Sequence, residues 1–161
     1  MLFSSSRLKT QWQKLKDLTR RSKKQKVLNS VFKPLRPSGF TLSSRSNQSL
    51  HGVDPSLVRV VKRAIQITEQ DFVVIEGLRT LSRQKQLVAK GFSKTLNSKH
   101  IVGRAVDIIP HPVPGDWDQY TIEQWAMIAK AMKVAAAEQG VALEWGYDIW
   151  KWDKPHYQLK D

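Results

Sequence analysis

The chain has 161 residues, 40% of them hydrophobic, which suits one compact domain with its own core. It has no cysteine, so disulfides and thiolate metal sites are excluded, and any metal must be held by nitrogen and oxygen ligands. The net charge is +13, but residues 1–46 hold twelve of the 27 Lys and Arg residues and only one of the 14 acids. We therefore predict a basic tail over residues 1–46 and a folded domain over residues 47–161.

The tail combines apolar and basic residues. Its apolar side chains fall at helical spacing and predict a short amphipathic helix: Leu8, Trp12, Leu15 and Leu18. A basic run over 20–26 follows, and a Ser-rich stretch over 38–49 is predicted to be a link. Three interpretations remain: a solubilising arm, a segment that binds anionic envelope surfaces, or a nucleic-acid binder. We favour envelope binding and regard nucleic acid as the weaker alternative.

The remaining sequence predicts mixed secondary structure. Capped amphipathic segments predict helices over 54–68, 82–90 and 121–139. Short apolar runs predict strands over 72–75, 105–109, 141–144 and 156–159. Because strands and helices do not alternate strictly, as they would around a parallel sheet, we predict an α+β fold.

Two of the four histidines have unusual surroundings. His100 ends a polar loop, Gly103 allows a sharp turn, and Asp107 lies within an apolar strand. A buried carboxylate needs a partner, either a metal ion or an Arg or Lys side chain. His51 and His111 lie in loop segments and are predicted to be exposed and non-catalytic.

The second unusual histidine, His156, begins a strand three residues after Asp153. Two histidines and one carboxylate form a common catalytic zinc set, which leaves a position for water and lowers its pKa to about 7. Asp153 is then the candidate to take the proton, and Arg79, just beyond a buried strand, the candidate to stabilise the oxyanion. The alternative for Arg79 is a structural ion pair with Glu76 or Asp71.

Taken together, these motifs carry a family resemblance. The pattern Ser98-x-His100-x-x-Gly103-x-Ala105-x-Asp107, followed by Asp153-x-x-His156, resembles the signature of the zinc D-alanyl-D-alanine carboxypeptidase family. That family includes VanY-type enzymes and phage endolysins that are L-alanyl-D-glutamate peptidases. The order and spacing of residues 52–84 resemble the endolysin branch, and the likeness covers roughly residues 46–160. Arg104 stands where relatives often carry His, at a position that is not a ligand.

The resemblance implies a small α+β domain whose antiparallel sheet carries one zinc ion. His100, Asp107 and His156 would bind the zinc, Asp153 would be the general base, and Arg79 would assist the carbonyl. Ser98 and Gln84 would be supporting or substrate-facing.

The resemblance also implies a function. We expect a monomeric phage-type endolysin that hydrolyses the L-alanyl-D-glutamate bond of the peptidoglycan stem peptide. The alternatives are a D-alanyl-D-alanine carboxypeptidase and a non-catalytic binding protein. Charges interrupt the N-terminus, so no secretory signal and no membrane span are predicted. We expect the protein to stay in the host cytoplasm until a separate membrane lesion releases it.

Overall fold

The computed structural model describes residues 37–161. This part of the chain contains a sheet of four antiparallel strands and five α-helices. The helices are α1 (Ser44–Ser49), α2 (Pro55–Ile67), α3 (Leu81–Ala89), α4 (Ile122–Glu138) and α5 (Gly146–Trp150). The strands are β1 (Phe72–Glu76), β2 (Ala105–Pro110), β3 (Leu143–Trp145) and β4 (His156–Leu159), with short 3₁₀ turns at Lys99–Val102 and Trp117–Gln119. The predicted α+β class is confirmed.

Helices α2 and α4 pack against each other, and α4 also packs against β2. Each helix begins at a side-chain cap: Asp54 accepts a hydrogen bond from the Ser56 amide, and Thr121 forms a capping box with Gln124. Their buried faces supply much of the core, with Leu57, Val60, Val61, Ala64, Trp125, Ile128, Met132 and Ala135. Burial of these faces is what stabilises both helices in the folded protein.

The sheet has the strand order β1-β2-β4-β3. Asp107 in β2 lies opposite His156 in β4, and a register shift after Val74 brings Glu76 in β1 opposite Asp107 on the other side. In β3, Glu144 lies opposite Gln158 of β4. The polar side chains of four strands are therefore neighbours across the sheet, although they are far apart in sequence.

The Ser-rich stretch predicted to be a link is part of the domain. The compact unit runs from Pro37 to Asp161, so it includes ten residues that the charge pattern had assigned to the tail. Ser46 is fully buried in α1, and its hydroxyl accepts a hydrogen bond from the Val74 amide of β1. The prediction of a linker from serine content was wrong because hydroxyl groups of this stretch form hydrogen bonds within the domain. Ser43 caps α1, and the Ser46 hydroxyl is a buried acceptor.

The predicted amphipathic helix and basic run of the tail lie outside the described residues. Within residues 37–161, no helix is long and apolar enough to cross a membrane.

Candidate metal centre

Three electron-pair donors, two from the sheet and one from the 3₁₀ turn before β2, meet at one point. His100 Nε2 lies 3.2 Å from Asp107 Oδ1 and 3.2 Å from His156 Nδ1, and the last two atoms are 3.3 Å apart. The structure thus brings together the three residues that the sequence predicted as metal ligands.

Each histidine makes a hydrogen bond through its other ring nitrogen. His100 Nδ1 lies 2.7 Å from the carbonyl oxygen of Gly77, and His156 Nε2 lies 3.1 Å from Oε1 of Gln158. Because both oxygens can only accept, these nitrogens carry the hydrogen when the rings are neutral. The nitrogens that face Asp107 then present lone pairs, which is the state a metal ligand requires.

The donor set fits a zinc ion. Tetrahedral zinc binds histidine nitrogen and carboxylate oxygen at about 2.0–2.2 Å, which sets neighbouring ligand atoms roughly 3.3 Å apart. The three separations in this protein, 3.2 to 3.3 Å, match that spacing. Three acceptors this close also need a cation or a proton between them, because their lone pairs repel one another.

Local structure holds His100 in place. The 3₁₀ turn that carries it ends at Gly103, whose φ of 69° is left-handed and favours glycine. A Cβ on Gly103 would lie 2.4 Å from the carbonyl oxygen of Gly52. The Asp54 amide donates to the Gly103 carbonyl at 2.8 Å, so the start of α2 fixes this turn. The glycine of the motif therefore serves packing as well as the turn.

Arg79 lies beside the cluster and is almost fully buried. Its Nη2 donates to Glu76 and, at 3.2 Å, to Oδ2 of Asp107, while its Nη1 donates to Oε1 of Gln84 at 2.8 Å. Of the two predicted ion-pair partners, Glu76 is present, whereas Asp71 contacts His111 instead. The Nε of Arg79 is buried without a hydrogen-bond partner among residues 37–161.

Gln84 supports this arginine. It is fully buried, and its amide also donates to Thr95 and Ser93 in the loop before His100. Of the two predicted roles, supporting or substrate-facing, the burial matches support. Ser98 caps the turn of His100 through its hydroxyl and also lines the neighbouring cleft.

His100, Asp107 and His156, called the metal cluster below, lie at the wall of a cleft of about 1100 Å³. Arg79 and Asp153 also line this cleft. Burial raises the pKa of Asp153 above the usual carboxyl range. Burial likewise acts to raise the pKa of Asp107, but in the metal-free site a hydrogen on the facing nitrogen of His100 or His156 outweighs burial and holds that pKa well below the usual range. The pKa values of the two carboxyl groups are therefore shifted in opposite directions.

Gly146 allows the close approach of the segment that carries Asp153 and His156. A Cβ on Gly146 would lie 2.6 Å from the Asp153 carbonyl oxygen and 3.0 Å from the His156 Cβ. The Trp145 indole also donates to the Lys154 carbonyl at 2.6 Å. These contacts fix a segment that has no regular secondary structure before β4.

The cleft walls are aromatic and basic. Trp150 and Trp152, for which core packing and cleft lining were both open, are exposed and line the cleft, whereas Trp125 is buried as predicted. The ammonium group of Lys94 lies 4.8 Å from the centre of the Trp152 ring. Within residues 37–161, Lys90 and Lys94 of the cleft form no ion pair, so both charges are available to a ligand.

Sequence reasoning missed Glu144 and Lys94, and it noted Gln158 only as lying on the same face as His156. The even spacing of His156 and Gln158 was the available signal, because residues two apart in a strand share a face. The histidines predicted to be non-catalytic lie outside the cluster: His51 is exposed, and His111 contacts Asp71 at 3.2 Å.

Asp107 and His156 on two strands and His100 on the preceding 3₁₀ turn, open to a cleft on one side, form the donor set of a catalytic metal centre. A family model described as phage L-alanyl-D-glutamate peptidase matches residues 38–160. The chain belongs to that family.

Individual relatives agree. The L-alanyl-D-glutamate peptidase of Escherichia phage T5 is 33% identical over 112 residues, which is 68% of this chain and 81% of the relative. The corresponding enzyme of Listeria phage A118 is 32% identical over 92 residues, 55% of this chain and 30% of the relative. The crystal structure of the Serratia marcescens L-Ala D-Glu endopeptidase ChiX superposes with a TM-score of 0.65 and a sequence identity of 41%. The superposition covers 74% of this chain and 90% of ChiX.

Proposed function

We propose that the protein is a zinc endopeptidase that hydrolyses the L-alanyl-D-glutamate bond of the peptidoglycan stem peptide, and that it acts as a phage-type endolysin. The observation that carries the proposal is the convergence of His100, Asp107 and His156 at the head of a cleft, in a chain of this family. The relatives' names supply the bond, and the donor set supplies the chemistry.

His100, Asp107 and His156 would hold the zinc ion through Nε2, Oδ1 and Nδ1. When bound, zinc supplies Lewis-acid activation of water and of the scissile carbonyl. The second oxygen of Asp107 stays with Arg79, which leaves Oδ1 directed at the histidines.

Asp153 would accept the proton from the attacking water and pass it to the leaving amine. Its raised pKa suits that role, because a stronger base takes the proton more readily. Arg79, which lines the cleft, would place its positive charge near the polarised carbonyl oxygen. Trp150 and Trp152 would cover the peptide on the side of the cleft next to Asp153.

The basic wall of the cleft suits an acidic peptide. A glutamate-containing stem peptide carries carboxylates, and the positive charges of Lys90 and Lys94 lie along the cleft that leads to His100, Asp107 and His156. We assign these lysines to substrate binding, with Lys94 held in place by the Trp152 ring.

Digestion of purified peptidoglycan tests the function directly. Released amino groups are measured before chelation, after chelation and after zinc is restored, and the products are identified by mass spectrometry. We expect chelator-sensitive, zinc-restored release of peptides with a new glutamate amino terminus. His156→Ala should release none.

Two results would contradict the proposal. Free D-alanine as the only product would identify the carboxypeptidase alternative, which uses the same zinc chemistry. Equal effects of the wild type and His156→Ala on walls would indicate a non-catalytic binding protein.

We propose that the basic tail binds anionic envelope surfaces. The enzyme would be a monomer and would reach the envelope through a separate membrane lesion. The test replaces the five basic residues of the run with Gln in the full chain: Arg20, Arg21, Lys23, Lys24 and Lys26. Lysis of permeabilised cells should fall more than digestion of purified peptidoglycan. Equal losses, or none, would contradict a role at the envelope, and retention by nucleic acid but not by anionic vesicles would favour the alternative.

A further inference from the structure

A chain of three side chains runs along the sheet away from the metal cluster. Gln158 accepts a hydrogen bond from His156 Nε2 at 3.1 Å through Oε1, and its amide nitrogen donates to Glu144 Oε2 at 2.9 Å. All three side chains are buried or partly buried, and Gln158 lies opposite Glu144 in the pairing of β3 and β4. The proposed catalytic roles use His156 alone.

The order of these contacts fixes the orientation of the amide. A carboxylate can only accept, so Glu144 requires the amide nitrogen of Gln158 on its side. The amide oxygen must then face His156, and it requires a hydrogen on Nε2. A neutral imidazole carries one hydrogen, so Nδ1 is left with the lone pair that points toward Asp107 and His100.

Without Glu144, the amide of Gln158 could turn over. Its NH₂ group would then face His156 Nε2, and the hydrogen would move to Nδ1, inside the cluster. His156 in that tautomer cannot bind a metal through Nδ1. His100 does not share this weakness, because its partner is a backbone carbonyl that can only accept.

We propose that Gln158 and Glu144 are positioning residues that determine which nitrogen of His156 is the metal ligand. The proposal rests on the proposed function only in that the cluster binds a divalent metal. Strand pairing alone does not require either side chain, because the backbone makes the ladder hydrogen bonds. The side chains of Gln158 and Glu144 are therefore available for another role, which is to set the tautomer of His156.

The test compares zinc affinity in four variants of the full chain by competition with a chromogenic chelator. Gln158→Met removes the acceptor at similar volume, Glu144→Met frees the amide, and Glu144→Gln keeps an acceptor oxygen. Gln66→Met is the matched control, since Gln66 is exposed on α2. We expect affinity to fall by about 10- to 100-fold in Gln158→Met and about tenfold in Glu144→Met. Glu144→Gln and the control should stay near the wild type.

Long-range ¹H–¹⁵N spectra of His156 provide a readout that a merely structural role would not change. The zinc-loaded wild type should carry hydrogen on Nε2, and zinc-free Glu144→Met at neutral pH should show more of the other tautomer than the wild type. Affinities within twofold of the wild type in both Met variants, with unchanged spectra, would overturn the proposal.

Two controls keep the outcome clear. Circular dichroism of the metal-free proteins checks folding; if Gln158→Met is misfolded, Glu144→Met tests the same chain with Gln158 in place. If the wild type binds zinc but does not digest peptidoglycan, the proposed function fails while the affinity comparison remains valid.

Discussion

Arg79 holds the oxygen of Asp107 that faces away from the two histidines. Nη2 of the arginine lies 3.2 Å from Oδ2, while Oδ1 lies within 3.3 Å of a nitrogen from each histidine. One carboxylate is thus shared between a guanidinium and the metal cluster. The two partners that the sequence left open for Asp107, a cation from the protein or a metal, are both provided for.

Arg79→Met should destabilise the metal-free protein by about 3 kcal/mol, because it leaves the carboxylates of Glu76 and Asp107 without their buried partner. Zinc affinity should also fall about tenfold, since Asp107 loses its orienting donor. Urea unfolding and chelator competition measure the two effects. Arg83→Met is the control: Arg83 is more than half exposed and lies 3.7 Å from Glu76, so its removal should cost less than about 1 kcal/mol. If Arg79→Met lowered kcat but changed neither stability nor zinc affinity, Arg79 would act on the substrate and not on Asp107.

Asp153→Asn should lower kcat by about 10²- to 10⁴-fold, because an amide of the same shape cannot accept the proton. Zinc affinity should change little, since Asp153 is not one of the three ligands. Steady-state kinetics on a defined stem peptide and chelator competition give the two values. An Asn variant with more than a tenth of the wild-type kcat would exclude Asp153 as the base.

Gly146→Ala should reduce activity strongly, although it adds only one methyl group. The new Cβ would lie 2.6 Å from the Asp153 carbonyl oxygen, so the segment that carries the base and His156 must shift. A displacement of this kind weakens both zinc binding and catalysis. Gly115→Ala is the matched control, because its Cβ would meet nothing within 4 Å. Equal activity of the two variants would show that the segment tolerates the shift.

Lys94→Met should raise KM for an acidic stem peptide by roughly tenfold, the equivalent of about 1.4 kcal/mol, while kcat stays near the wild type. The reason is the loss of one positive charge from the cleft wall. Lys62→Met removes the same charge from an exposed position on α2 and should leave KM unchanged. A fall in kcat with constant KM would contradict a binding role for Lys94.

Asp54→Ala should lower the free energy of unfolding by about 1 kcal/mol at pH 7, because α2 loses its cap. Hydrogen bonds from Ser56 lower the pKa of Asp54 in the folded protein. A lowered pKa stabilises the fold above the unfolded-state pKa, and this contribution is lost as pH falls through the folded-state pKa. The difference between wild type and Asp54→Ala should therefore shrink toward pH 3 in urea titrations. A constant difference would exclude the charge as its source.

Most of the secondary structure and the candidate metal ligands could be predicted from the sequence alone. Helix periodicity and caps predicted α2 and α4, and the ends of all the predicted strands lie within two residues of those observed. The candidate metal ligands could be recognised because His100 and Asp107 stand in one short motif, and His156 follows Asp153 in another. The helices at Ser44–Ser49 and Gly146–Trp150 were missed, since five or six residues are too few to show a period.

Contacts between distant segments could be seen only in the folded chain. Strand order places Asp107 between Glu76 and His156, and a register shift in β1 completes that arrangement. Gln158 and Glu144 can act on His156 only because β3 pairs with β4 in the register that brings them together. Hydrogen bonds between strands act over long sequence separations, and pattern within a single segment carries no information about them, so the second set of contacts around the metal cluster was visible only in the folded chain.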